Sequence, residues 1–427
     1  MARRSRQGDL RVKFAIFLNP QIPGSGWAAE ENARTRRPIG RDVESYQKLL
    51  HEVREIAVHA DRIGFDALMM TEHHFHSEGF EFSVNPLMFL TDLAARTERI
   101  LLAPLGLVLP TWDPIRAAED VALLDHFSQG RLRLGVARGY QARWANVLGQ
   151  RWHAAAARSD GSKSDDRNFD VFGEVLKIMK MAWEQDTLRY RSDVLDYEIP
   201  APFDGIEGWP AQEWTRTFGA PGEIDDDGVI RSVSVCPKPY QSPHPELWQP
   251  FTVSDRSVIR AAQEGIMPWM FTPNPDDHAA KAKLYQEECA KQGRDYRLGE
   301  HTGILKIVGM ADTKEEAIAT YGQGMQKDFA SFFGPFGYLE VLRTKEDDRH
   351  KPISPEKGDF KRMSEVEMAL IGGPDDVKRG IQRMLDRMPD LEWFGLFMQG
   401  QQGVLPLDTV KRNLELFATK VIPEFQD

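Results

Sequence analysis

The chain has 427 residues, of which 41% are hydrophobic and 28% charged, a composition that excludes a disordered, collagen-like or disulfide-scaffold protein. The formal net charge of -11 argues against a surface that coats nucleic acid, which would need a basic stripe, but it leaves room for a small anion held by local arginines. Cys236 and Cys289 lie in no metal-binding spacing and indicate a reducing cytoplasm. No run approaches the roughly 18 uncharged apolar residues of a membrane helix.

Short apolar runs alternate with amphipathic stretches along the chain, which is the pattern of βα units around a parallel sheet. The predicted strands cover residues 12–18, 65–70, 100–109, 132–136, 247–253, 266–271, 303–309 and 393–398. The predicted helices cover residues 43–63, 86–99, 114–127, 169–184, 255–264, 276–291, 313–328 and 408–421. Asp113 and Pro114 show how such a helix begins, since they supply an N-cap and a first-turn proline.

About eight strand and helix pairs predict an α/β fold, a single (β/α)8 TIM barrel over residues 1–427. Such a barrel gathers the C-terminal ends of its strands on one face, where enzymes of this fold keep their active sites. The rival is a doubly wound open sheet, which normally carries an early glycine-rich G-x-G-x-x-G turn. No such turn follows the first predicted strand, so the barrel is favoured.

Two long segments interrupt the alternation and are predicted to be insertions at the C-terminal face of the barrel. Residues 186–246 are rich in glycine, proline, aspartate and tryptophan, and they are longer than an ordinary connection. Residues 330–365 place phenylalanines beside glycines, which is typical of a mobile lid. A subunit interface or a decorated surface loop is the alternative for both segments.

A carboxylate and two imidazoles follow the second predicted strand in the run Glu72-His73-His74-Phe75. Adjacent residues on a strand point to opposite sides, so His73 and His74 are not expected to bind one metal ion together, and no metal site is predicted. One imidazole should face the cavity as a proton donor or acceptor near neutral pH, while the other packs outward. A purely structural cluster is the alternative.

Two further motifs follow predicted strands and suit an anion. Arg138 precedes Gly139, and the guanidinium fork fits a phosphate while the glycine lets backbone amides approach; a salt bridge to Glu72 is the alternative. Ser254 and Ser257 open the helix predicted at 255–264, where hydroxyls and free amides form an anion site. An ordinary serine N-cap is the alternative there.

Several short motifs occur in an order and spacing that carry more information than any one of them. They are Glu72-His73-His74-Phe75, Asn85-Pro86, Val108-Leu109-Pro110-Thr111, Asp113-Pro114, Ala118-Glu119-Asp120-Val121, Leu123-Leu124-Asp125, Gly130-Arg131 and Arg138-Gly139. This series resembles the α-subunit pattern of the bacterial luciferase-like family of flavin-dependent monooxygenases. Weaker resemblance continues to the strand predicted at 393–398, so it covers essentially the whole chain.

The resemblance implies a (β/α)8 barrel and a defined chemistry. Reduced FMN, supplied by a separate flavin reductase, would react with dioxygen to form a flavin 4a-hydroperoxide. That species would transfer one oxygen atom to a small lipophilic organic substrate, by Baeyer-Villiger oxidation or by hydroxylation. The resemblance also implies a homodimer, and neither a nucleic acid nor a membrane is expected as a partner.

The resemblance also assigns catalytic positions, residue by residue. His73 matches the family's catalytic histidine, which steadies the oxygenated flavin or acts as an acid and base. His74 matches its less essential neighbour, and Glu72 is grouped with the two histidines. These roles are implied by the family pattern and not by the spacing of the residues.

Cofactor positions follow in the same way. Arg138 matches the arginine that binds the FMN phosphate, joined by Ser254 and Ser257 at the helix N-terminus. Leu105 and Gly106 fall where the family often has a non-prolyl cis peptide against the isoalloxazine ring. We therefore expect these five residues to contact FMN.

The predicted pocket wall consists of Phe75, Trp112, Tyr140 and Trp144, all near strand ends. An apolar wall would exclude water, which otherwise consumes the oxygenated flavin; core or interface packing is the alternative for each residue. The chain also departs from luciferase. Ala137 replaces a reactive cysteine, and Val253 replaces a glutamate near the phosphate. Trp144 replaces an aspartate, which makes light emission from a long aldehyde doubtful.

The leading hypothesis is therefore an FMN-dependent two-component monooxygenase. A relative that uses a deazaflavin for hydride transfer without oxygen is the main enzyme alternative, although such relatives usually lack the Glu72-His73-His74-Phe75 signature. A flavin-binding, luciferase-like subunit without catalysis is the alternative from another class. Intact His73 and Arg138 argue against it.

Overall fold

A computed structural model of the protein describes residues 11–25, 36–252, 254–344, 346–348 and 350–426. Val253, one of the positions that differ from luciferase, lies outside the described residues. Among the described helices, none is long and apolar enough to cross a lipid bilayer.

The elements alternate in the order predicted from the sequence. The strands are β1 Lys13–Leu18, β2 Ala67–Met70, β3 Leu101–Pro104, β4 Leu107–Val108, β5 Leu134–Ala137, β6 Tyr190–Arg191, β7 Glu198–Ile199, β8 Leu247–Gln249, β9 Met267–Met270, β10 Gly303–Met310, β11 Ala369–Gly372 and β12 Trp393–Phe397. The helices are α1 Val43–Ile63, α2 Pro86–Ala94, α3 Pro114–Phe127, α4 Ala142–Leu148, α5 Lys163–Glu184, α6 Gln212–Phe218, α7 Asp255–Glu264, α8 Pro275–Lys291, α9 Lys314–Ala317, α10 Gln323–Asp328, α11 Phe360–Glu365, α12 Pro374–Arg387 and α13 Leu407–Lys420.

The chain divides into two compact units. The first unit contains Met1–Val84, Arg96–Ala103 and Leu247–Asp427, and the second contains Asn85–Ala95 and Pro104–Glu246. The first unit therefore carries most of the parallel strands, and the second carries the long segment predicted as an insertion at 186–246.

A parallel sheet forms the centre of the first unit. Its strand order is β3-β2-β1-β12-β10-β9-β8, and β11 pairs with β10 as well. The registers are continuous through the middle of the sheet, because Lys13 of β1 and Gly303 of β10 both pair with Trp393 of β12. Nearly every residue of these central strands is buried, as a parallel sheet covered by helices requires.

Local signals in the sequence explain where the helices of this unit begin and end. The Asp42 side chain accepts a hydrogen bond from the Ser45 amide and caps α1, and Gly64 ends α1 with a left-handed φ of 101°. Leu49, Val53 and Ile56 form the buried face of the helix between these caps. The predicted helix at 43–63 is thus confirmed.

Three tryptophans fill the interior of the first unit. The rings of Trp248, Trp269 and Trp393 lie with centroids 5.1–5.9 Å apart. Gly303 is required beside them, because a Cβ atom at this position would lie 2.6 Å from the ring of Trp269. Large rings are therefore accommodated by small residues on the neighbouring strand.

The second unit combines a short parallel pair with long helices. Strands β4 and β5 pair through Leu107 and Val136. A Cβ atom on Gly106 would lie 2.9 Å from the backbone of Val136, so glycine permits this close approach. The Trp183 indole donates a hydrogen bond of 3.0 Å to the Ala118 carbonyl and joins α5 to α3.

The segment predicted as an insertion at 186–246 belongs to the second unit. It holds the antiparallel hairpin β6–β7 and the short helix α6, with few other regular elements. Trp214 and Phe218 lie exposed on α6, and their ring centroids are 4.7 Å apart.

The segment predicted at 330–365 belongs to the first unit and consists mostly of short turns. It begins within the π-helical turn Phe329–Phe333, continues through 3-10 turns such as Gly334–Phe336 and Tyr338–Leu342, and ends with α11. The helix predicted at 313–328 is present and is capped by Thr313, but it is not regular throughout. A π-helical turn at Ile318–Gly322 separates α9 from α10, and glycines in this stretch weaken regular helix.

Two strand predictions also need correction. The single strand predicted at 100–109 is divided into β3 and β4, and the Leu105–Gly106 peptide bond between them is cis. Strand β11 was missed, because its apolar run of four residues is short and stands between a charged stretch and a helix start. The parallel pairing of β11 with β10 decides its conformation.

Candidate active site

The two adjacent histidines after β2 turn to different partners. His74 Nε2 lies 3.0 Å from Oε1 of the buried Glu72, and His73 Nε2 lies 3.4 Å from Oε1 of the buried Glu81. The two adjacent imidazoles therefore have different partners, as the sequence analysis expected of residues with different roles. The carboxylate of Glu72 pairs with His74.

Two residues that sequence reasoning missed complete the surroundings of His73. One donor atom each from His73, His76 and Glu81 lie within 4.8 Å of one another, and all three side chains are buried. His73 and His76 lie in a stretch that forms neither helix nor strand, so helical or strand periodicity gave no signal. A histidine and a glutamate close to a motif already singled out were the only hint in the sequence.

The backbone after β2 folds back to bring these groups together. Phe75 and Glu81 adopt left-handed φ angles of 62° and 48°, which residues other than glycine rarely do. The His73 amide donates a 3.0 Å hydrogen bond to the Ser83 carbonyl, and the hydroxyls of Thr71 and Ser83 lie 3.0 Å apart. The loop is thus closed onto the end of its own strand.

Buried amides from the ends of β1 and β12 adjoin this loop. Asn19 Nδ2 lies 3.4 Å from both Glu81 Oε1 and Gln399 Oε1 and donates to these acceptors. Asn19 Oδ1, Gln21 Nε2 and both amide atoms of Gln402 are buried and have no hydrogen-bond partner among the residues that the structure describes. Such orphaned atoms are costly and indicate that a polar ligand completes them.

Aromatic side chains of the 330–365 segment cover the histidine cluster. The ring of Phe332 lies 5.6 Å from that of His76 and 4.1 Å from that of Phe80, measured between centroids. Burial raises the pKa of Tyr338, and the negative charge of Glu81 raises it further, so the phenol stays protonated. This segment therefore supplies an apolar cover over His76.

Arg138, predicted to bind a phosphate, is held inside the second unit by α5. Its Nε donates a 2.8 Å hydrogen bond to Asn168 Oδ1, and its Nη2 contacts the carboxylate of Asp165. The guanidinium also lies 5.2 Å from the centre of the Phe169 ring. The Nη1 atom of Arg138 makes no hydrogen bond within the described part of the chain. This edge of the guanidinium is therefore available to an anion.

The charge of Asp165 is fixed by its surroundings. Burial raises the pKa of Asp165, but hydrogen bonds from the Ser159 amide and from Arg138 lower it by more, so the net pKa lies below the ordinary value. Gly139 follows Arg138 with a left-handed φ of 73°, and a Cβ atom there would lie 2.7 Å from Val108. The ion pair with Asp165 and the backbone at Gly139 together fix the direction of the Arg138 side chain.

Ser254 caps α7. The Ser257 amide donates a 3.2 Å hydrogen bond to Ser254 Oγ, and Ser254 Oγ donates to Ser257 Oγ at 2.8 Å. The alternative given for this motif, an ordinary serine N-cap, is therefore present. Contact of these hydroxyls with a phosphate stays a prediction.

The predicted pocket residues have different surroundings. Phe75 is 48% exposed, and Trp144 is fully buried in a cluster with Val108, Ala145 and Ala156, where its indole donates to Gln141. Trp144 therefore packs as a core residue, which was the alternative interpretation. Trp112 and Tyr140 are half-buried, and their role as pocket wall stays a prediction, as does the contact of Leu105 and Gly106 with a flavin.

A second buried cation lies in the first unit and was not singled out from the sequence. Lys306 on β10 is fully buried, and its Nζ donates to the carbonyl oxygens of Thr272, at 3.0 Å, and Pro273. Burial lowers the pKa of Lys306 from 10.5 to about 7. Burial, together with the charge of Lys306, also lowers the pKa of His278 well below its ordinary value, so this imidazole is neutral.

Residues 32–390 match the family model described as luciferase-like monooxygenase. The chain belongs to this family. Among curated proteins, 3,6-diketocamphane 1,6-monooxygenase from Pseudomonas putida is 23% identical to this chain over 335 residues. The alignment covers 77% of this chain and 81% of that protein. The resemblance inferred from the motifs is thereby confirmed.

Solved structures extend the likeness to nearly the whole luciferase-like chain. The FMN complex of the oxygenating constituent of 3,6-diketocamphane monooxygenase from Pseudomonas putida, a type II Baeyer-Villiger monooxygenase, matches 97% of this chain and 99% of its own, with a TM-score of 0.70 and 19% identity. The coenzyme F420-dependent tetrahydromethanopterin reductase from Methanopyrus kandleri matches 97% and 99%, with a TM-score of 0.59 and 16% identity. These likenesses show the fold and confirm the predicted α/β barrel class.

Proposed function

We propose that this luciferase-like chain is the oxygenating component of a two-component system that uses reduced FMN and dioxygen to place one oxygen atom in a small lipophilic substrate. Family membership supports a monooxygenase. The Pseudomonas relative, an oxygenating constituent in complex with FMN, supports both FMN and a system of more than one component. The observation that carries the proposal is the buried cluster of His73, His76 and Glu81 beneath an aromatic cover.

The residues of the chain fit a flavin phosphate. Arg138 is oriented by Asn168 and Asp165, and its Nη1 makes no hydrogen bond among the described residues. A guanidinium and a phosphate form short charge-assisted hydrogen bonds. Because Asp165 already neutralises part of the arginine charge, we expect further hydrogen-bond donors to share the phosphate.

The buried amide side chains of the first unit fit the isoalloxazine ring of a flavin, which is rich in nitrogen and oxygen atoms. The orphaned amide atoms of Gln21 and Gln402 would be satisfied by the donors and acceptors along the edge of a flavin. When bound, reduced FMN supplies the electrons that activate dioxygen. The amides of the chain would hold the ring in place.

In the proposed reaction, His73 accepts and donates a proton. Its Nε2 lies 3.4 Å from the Glu81 carboxylate, which stabilises the imidazole when it carries a proton on that atom. The rings of Phe332 and Phe80 keep water away from the cluster, and exclusion of water protects reactive oxygen species from unproductive decay. The chain thereby provides a proton carrier in a dry, apolar setting.

Reductase-coupled turnover tests the function. The purified chain is incubated with a flavin reductase, NADH, FMN and a panel of ketones, aldehydes and aromatic compounds, and products are screened by mass for the gain of one oxygen atom. Oxygen uptake that matches product formation is the expected result. Hydride transfer with reduced coenzyme F420 and no oxygen consumption would replace this proposal by the deazaflavin alternative.

Replacement of the proposed proton carrier provides a sharper test. His73→Ala should still bind FMN but lose product formation by about 100- to 10,000-fold, which is the usual contribution of a positioned acid or base. Oxygen use should continue and release hydrogen peroxide. His74→Ala is the matched variant, because His74 pairs with Glu72 instead, and its loss should be smaller. A fully coupled His73→Ala protein would remove His73 from the mechanism.

A further inference from the structure

The cluster of His73, His76 and Glu81 has the composition of a transition-metal site. Two imidazoles and one carboxylate are ligands that zinc and related divalent ions bind in proteins. One donor atom from each residue lies within 4.8 Å of the others. Among the residues that the structure describes, this is the one group of three histidine, cysteine, aspartate or glutamate side chains whose donor atoms lie so close together.

The distance between His73 Nε2 and Glu81 Oε1 is 3.4 Å. Two ligands of a tetrahedral zinc ion with bonds of 2.0–2.1 Å lie about 3.3–3.4 Å apart. This edge of the site is therefore already at the length that a bound ion requires. The rings of His73 and His76 have centroids 5.7 Å apart and are tilted by 46°, so the second imidazole can approach without stacking on the first.

Asn19 provides an independent indication of a ligand at this position. It is 7% exposed, and its Nδ2 donates to Glu81 Oε1. Its Oδ1, part of the same amide, has no hydrogen-bond partner among the described residues. A water molecule on the open coordination position of a metal ion would donate to such an oxygen, as catalytic zinc sites with three protein ligands keep a water in the fourth position.

We propose that His73, His76 and Glu81 bind one divalent transition-metal ion of the zinc class, with Asn19 holding Glu81 and accepting from the bound water. The loop from Phe75 to Ser83 fixes the donors before the ion arrives, because Ser83 is tied back to the His73 amide and to Thr71. A divalent ion would offset the negative charge of the buried Glu81. Within this cluster, the family pattern gives a role to His73 and none to His76.

On the proposed function, an ion at this site competes with proton transfer by His73. A metal ion on His73 occupies the ring nitrogen that would otherwise carry the proton. Metal binding and oxygenation therefore exclude each other, and zinc acts as an inhibitor of the enzyme. Oxygenation stops while the ion is bound and resumes when a chelator removes the ion.

The test measures metal binding without turnover. The full chain is treated with a chelator, dialysed and titrated with ZnCl2 by calorimetry, and separately with CoCl2, whose visible absorption reports nitrogen and oxygen ligands. We expect one ion per chain and no binding of MgCl2. His76→Ala and Glu81→Gln should each weaken zinc binding at least about 100-fold, since loss of a direct ligand exceeds the 10- to 100-fold loss on removing an outer partner.

His74→Ala is the matched control, because this imidazole is next to His73 in sequence but pairs with Glu72; it should bind zinc like the unaltered chain. Glu81→Gln keeps the shape of the side chain and guards against a folding defect in His76→Ala. Equal zinc affinity in the unaltered chain and both ligand variants would overturn the site, and so would the absence of zinc binding. Binding that leaves oxygenation untouched would overturn the inhibition and the role of His73 but keep the metal site.

Discussion

Two cations in this protein, the partly buried Arg138 and the fully buried Lys306, are stabilised in different ways. Arg138 in the second unit contacts the carboxylate of Asp165 and the amide of Asn168. Lys306 in the first unit donates to backbone carbonyl oxygens of Thr272 and Pro273. One cation has a charged partner, and the other has only dipoles.

The difference decides how each group responds to protons. A guanidinium keeps its charge at any physiological pH, and hydrogen bonds to Asp165 hold the pKa of that carboxyl below its ordinary value against the effect of burial. Carbonyl dipoles do not compensate the burial of Lys306, and its pKa falls to about 7. Arg138 is thus a constant charge suited to an anion, whereas Lys306 changes its protonation near neutral pH.

Removal of the carboxylate should have the largest effect. Asp165→Ala leaves Arg138 as a partly buried charge without its carboxylate partner, and we expect the free energy of unfolding to fall by up to about 3–5 kcal/mol. Urea denaturation measures this change. Asp170→Ala is the control, because Asp170 is exposed on the same helix, and it should change stability by no more than about 0.5 kcal/mol. Similar losses in the two variants would mean that the pair contributes nothing specific.

Lys306 should make stability depend on alkaline pH. The unfolded chain keeps this lysine protonated up to about its ordinary pKa of 10.5, while the folded chain releases the proton near 7. Between these values the unfolded state binds more protons, so the free energy of unfolding rises with pH, by at most about 1.4 kcal/mol per pH unit. From pH 7 to pH 9 we expect a gain of about 2–3 kcal/mol.

Lys306→Met should remove this slope, and urea denaturation at several pH values measures it. Lys283→Met is the control, because Lys283 lies exposed on α8, and it should keep the slope of the unaltered chain. If Lys306→Met and the unaltered chain respond alike to pH, then Lys306 is protonated in the folded state and the contrast with Arg138 fails.

The smallest of these effects concerns ligand binding. Arg138→Ala should weaken FMN by about 10- to 100-fold, the value of a hydrogen bond to a charged group, and should leave riboflavin, which lacks the phosphate, nearly unchanged. Fluorescence titration with both flavins measures the difference. The double variant Arg138→Ala/Asp165→Ala removes both charges and controls for the stranded carboxylate. Equal weakening of FMN and riboflavin would exclude a phosphate contact at Arg138.

Local signals made much of the fold predictable. The helices predicted at 43–63 and 255–264 have the same bounds in the structure, because a side-chain cap and a glycine mark their ends. Short apolar runs located the central strands, since strands buried on both faces are apolar throughout. Where these signals were weak, as for β11, a contact with β10 that is distant in sequence determined the outcome.

The candidate site was less predictable, because its partners depend on the path of the backbone. Asp165 meets Arg138 only through the packing of α5, 27 residues further along the chain. His76 and Glu81 meet His73 because the loop turns back through left-handed residues, and no periodic pattern announces such a turn. The sequence identified the residue types with chemical capacity, and tertiary structure selected which of them work together.

The three tryptophans inside the first unit also give the protein a built-in optical probe. Trp248, Trp269 and Trp393 are at most 1% exposed, while Trp214 on α6 in the second unit is 70% exposed. Indole rings this close couple electronically, so their near-ultraviolet circular dichroism reports the packing of the first unit. A dissolved collisional agent quenches an exposed indole such as Trp214 in the folded protein and reaches the three buried rings only when the first unit opens. The loss of the dichroic signal and the gain in quenching can therefore be compared in one sample without a label, and their coincidence tests whether the first unit opens in a single step.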